Sequence, residues 1–221
     1  MFDAIKRMIG SASAGGASDE GQVLAAWAKA EGCTFKRVNA KTGAGFVAES
    51  PEGWRVEWGT SQRSYIAGKE LRFRCDAGLA SDVQVIALSR ALSQVLETDV
   101  FSRFTNAMQT QIDNTLPDEM RWLAMHPRVT LSDHPALARR FVLLSNAEQV
   151  ARQWLDEKVL QAIEDAAANW WTDTLVVVVT VNRGMLTLRM PGDGLQPLQL
   201  KLVGELFRVL AARLKAVAAG A

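Results

Sequence analysis

Residues 54–58 read Trp54-Arg55-Val56-Glu57-Trp58, and residues 71–75 read Leu71-Arg72-Phe73-Arg74-Cys75. In both stretches apolar and charged side chains alternate with a period of two. Successive side chains of a strand point to opposite faces, so each stretch reads as a strand with one dry and one wet face. The charges on the wet face need no ligand to explain them: Arg72 or Arg74 opposite Glu57 is a cross-strand pair. A sheet solvated on one side is characteristic of antiparallel pairing, and the tight turn Ser50-Pro51-Glu52-Gly53 before the first stretch agrees with a meander.

Working outward from there, 33–38 and 46–49 read as two earlier strands separated by turn residues, and 64–67 as a short one. Ahead of them Asp19 suits the cap of a helix running to about Glu31. Val23, Leu24, Trp27 and Ala30 form its stripe, and Gly32 is its stop. Beyond the second stretch, Ser81 and Gln84 have capping-box spacing, and Val85, Leu88, Leu92, Val95 and Leu96 recur as on a helix. Residues 98–125 read as mostly helical with a break at Leu116-Pro117, and 126–135 as a loop.

The second half repeats this logic. Residues 139–144 read as a strand, and Ser145 with Glu148 as a second capping box opening one long helix to about Ala168. Strands at 175–181 and 185–189 flank the turn Asn182-Arg183-Gly184. Leu198, Leu202, Leu206, Leu210, Leu214 and Val217 mark a final amphipathic helix. The fold class is therefore α+β: antiparallel β-meanders packed against amphipathic helices. Gly-Lys-Glu-Leu-Arg-Phe-Arg-Cys-Asp-Ala-Gly-Leu (68–79) resembles Gly-Met-Leu-Thr-Leu-Arg-Met-Pro-Gly-Asp-Gly-Leu (184–195) once a gap is allowed, which suggests two similar meander-plus-helix lobes. The organisation expected is an N-terminal arm and linker (1–18), a first lobe (19–97), a helical connector (98–135) and a second lobe (136–221).

The chain has 221 residues, 48% of them hydrophobic and 22% charged, with a net charge of +1. That composition can bury a core, and the charge argues against a protein that grips nucleic acid or anionic membrane by charge alone. No apolar run of about 18 residues is present, so no helical membrane span is expected. Nor does the start read as a secretory signal, and a cytoplasmic location follows as the default. Two cysteines, Cys33 and Cys75, are too few for a disulfide framework or a four-thiolate zinc site. Within 1–9, Phe2, Ile5 and Ile9 fall on one side of a short helical pattern beside Lys6 and Arg7, and 10–18 has linker composition.

Motifs for chemistry are scarce. The only histidines, His126 and His134, are each followed by proline and lack metal-ligand spacing. Lys41-Thr42-Gly43-Ala44-Gly45 is a turn leading into a strand, not a phosphate loop at a helix N-terminus. Adjacent acids on helices point about 100° apart and do not converge. No catalytic residue, cofactor or metal is therefore assigned. Seven tryptophans against one tyrosine is the unusual feature. Trp122 departs from its helix's stripe, and Trp170-Trp171 end a helix side by side. Aromatic residues are enriched at interfaces, so these three are the candidate interface.

Three readings follow, in order. The first is a non-enzymatic interaction or oligomeric scaffold protein using the apolar surface around Trp170, Trp171 and the last helix. The second is an enzyme or small-ligand binder between the lobes, near His126, His134, Arg139 and Arg140. The third is nucleic-acid binding through the sheet of 33–75, which is disfavoured because its aromatics share the buried face, opposite Arg72 and Arg74.

Overall fold

The computed structural model describes residues 17–40, 43–106 and 118–220. The expectations for the arm, and for the break at Leu116-Pro117, lie outside these residues. In chain order the elements are α1 (Ala17–Ala30), β1 (Thr34–Ala40), β2 (Gly43–Glu49), β3 (Trp54–Thr60), β4 (Lys69–Asp76) and β5 (Val85–Ser89). Then come α2 (Arg90–Asn106), α3 (Asp118–Met125), α4 (Pro135–Arg140), β6 (Phe141–Ser145), α5 (Glu148–Trp154) and α6 (Glu157–Asn169). The chain closes with β7 (Val178–Asn182), β8 (Met185–Pro191) and α7 (Pro197–Ala219). The strands form one eight-stranded sheet in the order β1-β2-β3-β4-β8-β7-β5-β6, and every pairing is antiparallel. The fold is α+β.

The alternation in β3 and β4 fixes how the sheet faces. Trp54, Val56, Trp58, Leu71, Phe73 and Cys75 are buried on what we call the near face, and across the register they continue into Leu186, Leu188 and Met190 of β8. Helices α1, α5, α6 and α7 cover this face. Gly204 of α7 faces Trp27 of α1 and Phe73 of β4, where a Cβ would meet them at 3.4 and 3.6 Å, ordinary van der Waals contact. The indole nitrogen of Trp154 donates to the Leu210 carbonyl at 3.0 Å, so even the buried polar atom of this large side chain is satisfied.

The far face is divided. In the β7-β5-β6 half, Ile86, Leu88, Val142, Leu144 and Val178 are buried beneath Leu92 and Leu96 of α2 and Met120, Trp122 and Leu123 of α3. In the β3-β4-β8 half the same face carries Arg55, Glu57, Glu70, Arg72, Arg74 and Arg189.

Several expectations need correction. Val85–Ser89 is a strand, not the first turns of a helix. It lies between β7 and β6 and is covered on both faces, so it is apolar from Val85 to Leu88 and carries no period-two signal to separate it from a helix. The helix starts at Arg90, and its cap is Ser89, whose hydroxyl accepts from the Leu92 amide at 3.2 Å. Ser81 and Gln84 form no capping box there. Ser145 is a buried strand residue that accepts from the Ala147 amide, and Glu148 pairs with Arg152. The long helix breaks at Leu155-Asp156. Asp156 caps α6 by accepting from the Val159 amide at 3.0 Å and also holds Arg213, so one acid makes the corner. Arg139 and Arg140 close α4, and β6 begins only at Phe141. Likewise β7 begins at Val178, so 175–177 precede it. The β7–β8 turn is as read: Arg183 and Gly184 both have positive φ, 51° and 74°, as a two-residue hairpin of the right twist requires.

The two stretches that resemble one another, 68–79 and 184–195, lie side by side as β4 and β8. Gly68 abuts the Asp193 carboxylate, while Gly184 abuts Leu79 and Asp76. The strand β5, from 19–97, pairs with β6 and β7, both from 136–221.

Candidate functional site

The residues singled out by sequence are spread over both faces. Trp122 is buried in the far-face cluster, and the His126 ring stacks on it with centroids 5.8 Å apart. The His126 Nε2 lies 2.8 Å from Gln84 Oε1, and burial lowers the imidazole pKa from its ordinary value. Trp170 and Trp171 are buried on the near face, stacked on one another at 6.1 Å, with Phe141 edge-on to Trp171 at 4.6 Å. Arg140 joins them. Its guanidinium donates to the carbonyls of Ala167 and Trp171, each at 2.7 Å, and satisfies acceptors left over where α6 ends. Arg139 is exposed, and His134 is half-buried at the start of α4. The sheet therefore separates His126 and Trp122 from Arg140, Trp170 and Trp171. Among the described residues no three His, Cys, Asp or Glu side chains group so as to hold a metal ion.

Two other features stand out. The first is a groove of about 300 Å³ between α6 and α7. Ala162, Ala166 and Trp170 line one wall, and Leu202, Leu206 and Val209 the other. On each helix these residues recur at helical spacing, so one stripe of each faces the gap. The groove exists because alanine stands at 162 and 166, where larger side chains would close it. Asp165 and Glu205, both exposed, stand on its rims, one from each helix. Asp165 accepts from Gln161 at 3.0 Å, and among the described residues neither acid forms an ion pair. The sequence marks Trp170 and the last helix but not the groove, because nothing local says that α6 and α7 are neighbours.

The second feature is the charged half of the far face. Glu57 is shared by Arg55 at 2.7 Å, Arg72 at 3.0 Å and Arg74 at 3.4 Å. Glu70, 1% exposed, meets Arg189 at 2.6 Å and accepts more loosely from the Ser61 hydroxyl at 3.4 Å. Beside this layer the loop between β3 and β4 is pinned to α3: Arg63 and Tyr65 both donate to Glu119. Burial, with the neighbouring Glu119 charge, pushes the Tyr65 phenol far up, so it remains a donor. Burial also pulls Arg72 down from its usual value; Arg189 and Arg74 add to that against Glu57 and Glu70. The pairing of Glu57 with Arg72 and Arg74 was legible in the alternation. The pairing of Glu70 with Arg189 was not, because these residues are 119 positions apart and meet only through the β4–β8 pairing.

No family model matches this chain, and no curated protein matches it. Among solved structures, the chain is similar to the crystal structure of the mycobacterial trehalose monomycolate transport factor A, TtfA, with 11% sequence identity and a TM-score of 0.49. The likeness covers 88% of this chain and 94% of that one. It supports no statement about function.

Proposed function

We propose that this chain is a non-enzymatic protein-interaction module, and that its docking site is the groove between α6 and α7. The occupant is a short amphipathic helix whose apolar stripe is flanked by Lys or Arg. The observation that carries this reading is an apolar floor between two acids, Asp165 and Glu205, that no cation engages among the described residues. Helices bind in grooves by seating residues at i, i+3 or i+4 and i+7, and rim charges select which helix enters. The chain contains one stretch of this chemistry itself: Phe2, Ile5 and Ile9 beside Lys6 and Arg7. A second copy can supply it, which would make the module self-associating.

A labelled peptide of residues 1–9 is the direct probe, titrated by fluorescence anisotropy into a chain beginning at Ala17, where α1 starts. Saturable binding is expected. Glu205→Lys and Asp165→Lys should each weaken it about tenfold, as reversing a rim charge does, and added salt should weaken it further. Both acids are exposed, so the variants are expected to fold normally. Failure of the peptide to bind, or binding indifferent to both reversals, ends this reading.

A further inference from the structure

A different surface holds a cluster of arginines. On the far face, Arg72 of β4 and Arg189 of β8 stand directly opposite one another, and Arg74 is two residues along β4 on the same side. Like charges placed so are unfavourable unless something compensates. The compensation present is thin, because Glu57 serves three guanidinium groups and Glu70 one. Two further acids are paired with other cations: Glu49 with Lys36, and Glu119 with Arg63. The Nε atoms of Arg72, Arg74 and Arg189 are all buried without a hydrogen-bond partner. Their side chains are only 21%, 30% and 14% exposed, so water screens this excess of positive charge poorly.

We propose that Arg72, Arg74 and Arg189 form a binding site for a small, multiply charged oxyanion of the phosphate type. The guanidinium fork matches phosphate oxygens two at a time, and its charge persists when half-buried, as a lysine's need not. A small anion fits better than a nucleic-acid strand. Strand binding needs aromatic side chains beside the cations, whereas Phe35 and Phe46 stack on each other in register with the near face, and Tyr65 is held by Glu119. The site is independent of the α6–α7 groove, and either can fail without the other.

The test is calorimetric titration of the full chain with inorganic pyrophosphate, at fixed ionic strength in a phosphate-free buffer. One saturable site is expected. Arg74→Gln removes the most exposed of the three arginines and the longest of the ion pairs, so the protein should fold. It should weaken binding about tenfold or more, as loss of one charge-assisted contact does. Glu57→Gln should strengthen binding several-fold, because it frees the arginines that the carboxylate now occupies; a merely structural role for Glu57 gives no such gain. The proposal is overturned if pyrophosphate does not saturate, or if affinity is blind to both variants. It is equally overturned if a single-stranded oligonucleotide shows these dependences while pyrophosphate does not bind.

Discussion

One row of the far face crosses six strands in register: Glu57, Arg72, Arg189, Val178, Leu88, Val142. Its first three members are charged and its last three are apolar. The backbone is the same antiparallel ladder throughout, so the change between Arg189 and Val178 reflects what lies above. Over Val178, Leu88 and Val142 sit α2 and α3; over Glu57, Arg72 and Arg189 the charges answer one another. The comparison teaches that sheet pairing sets position while the covering layer sets chemistry. It also divides the molecule into a half whose far face is stabilised by burial and a half whose far face is spent on paired charge, which is where a ligand has something to compete for.

The largest effect is expected in the apolar half. Leu88 is fully buried between β7 and β6, and Leu88→Ala should cost about 2–5 kcal/mol, the transfer term plus a cavity that two paired neighbours cannot collapse. Urea unfolding measures it. A loss below about 1 kcal/mol would mean that α2 and α3 do not close this face as tightly as the burial implies. In the charged half, Glu70→Gln keeps the shape but leaves Arg189 facing a neutral amide beside Arg72. The expected loss is about 2–3 kcal/mol, that of a buried charge deprived of its partner. Glu70→Gln combined with Arg189→Met should regain most of it, because the double variant leaves no buried charge unpaired. If the double variant is as unstable as the single one, the charge is not what matters there.

This division also explains what could be read from the sequence. β3 and β4 were legible because one face is wet, and wetness writes a period of two. β5 was not, because both of its faces are dry and Val85, Leu88 and Leu92 then mimic a helix. The final helix was legible, although its inward face turns toward Leu200, Val203 and Phe207, leaving Leu198 and Leu202 only half-buried at the edge. The corner at Asp156 was hidden because an acid inside an apolar helical pattern looks like a solvated position. Of the sites, the Glu57 pairs and the neighbourhood of Trp170 were visible locally. The groove and the Glu70–Arg189 pair depend on which elements end up adjacent, and no local pattern encodes that.

The smallest expected effect lies at the margin of the apolar half. His126 stacks on Trp122 and meets Gln84, and burial lowers its pKa below the unfolded value of 6.5. The folded chain therefore takes up this proton less readily than the unfolded chain. As pH falls through 6.5 toward the folded value the unfolded state gains the proton first, so stability should fall. The group is only partly buried, so the loss is a fraction of what a fully buried imidazole would show. Denaturation midpoints at pH 7.5 and 5.0 should differ less in His126→Gln than in the parent chain, since the variant has no proton to gain at this position. A larger pH dependence in the variant would place the acid sensitivity elsewhere, and would mean that the edge beside Trp122 is more open than the far-face packing implies.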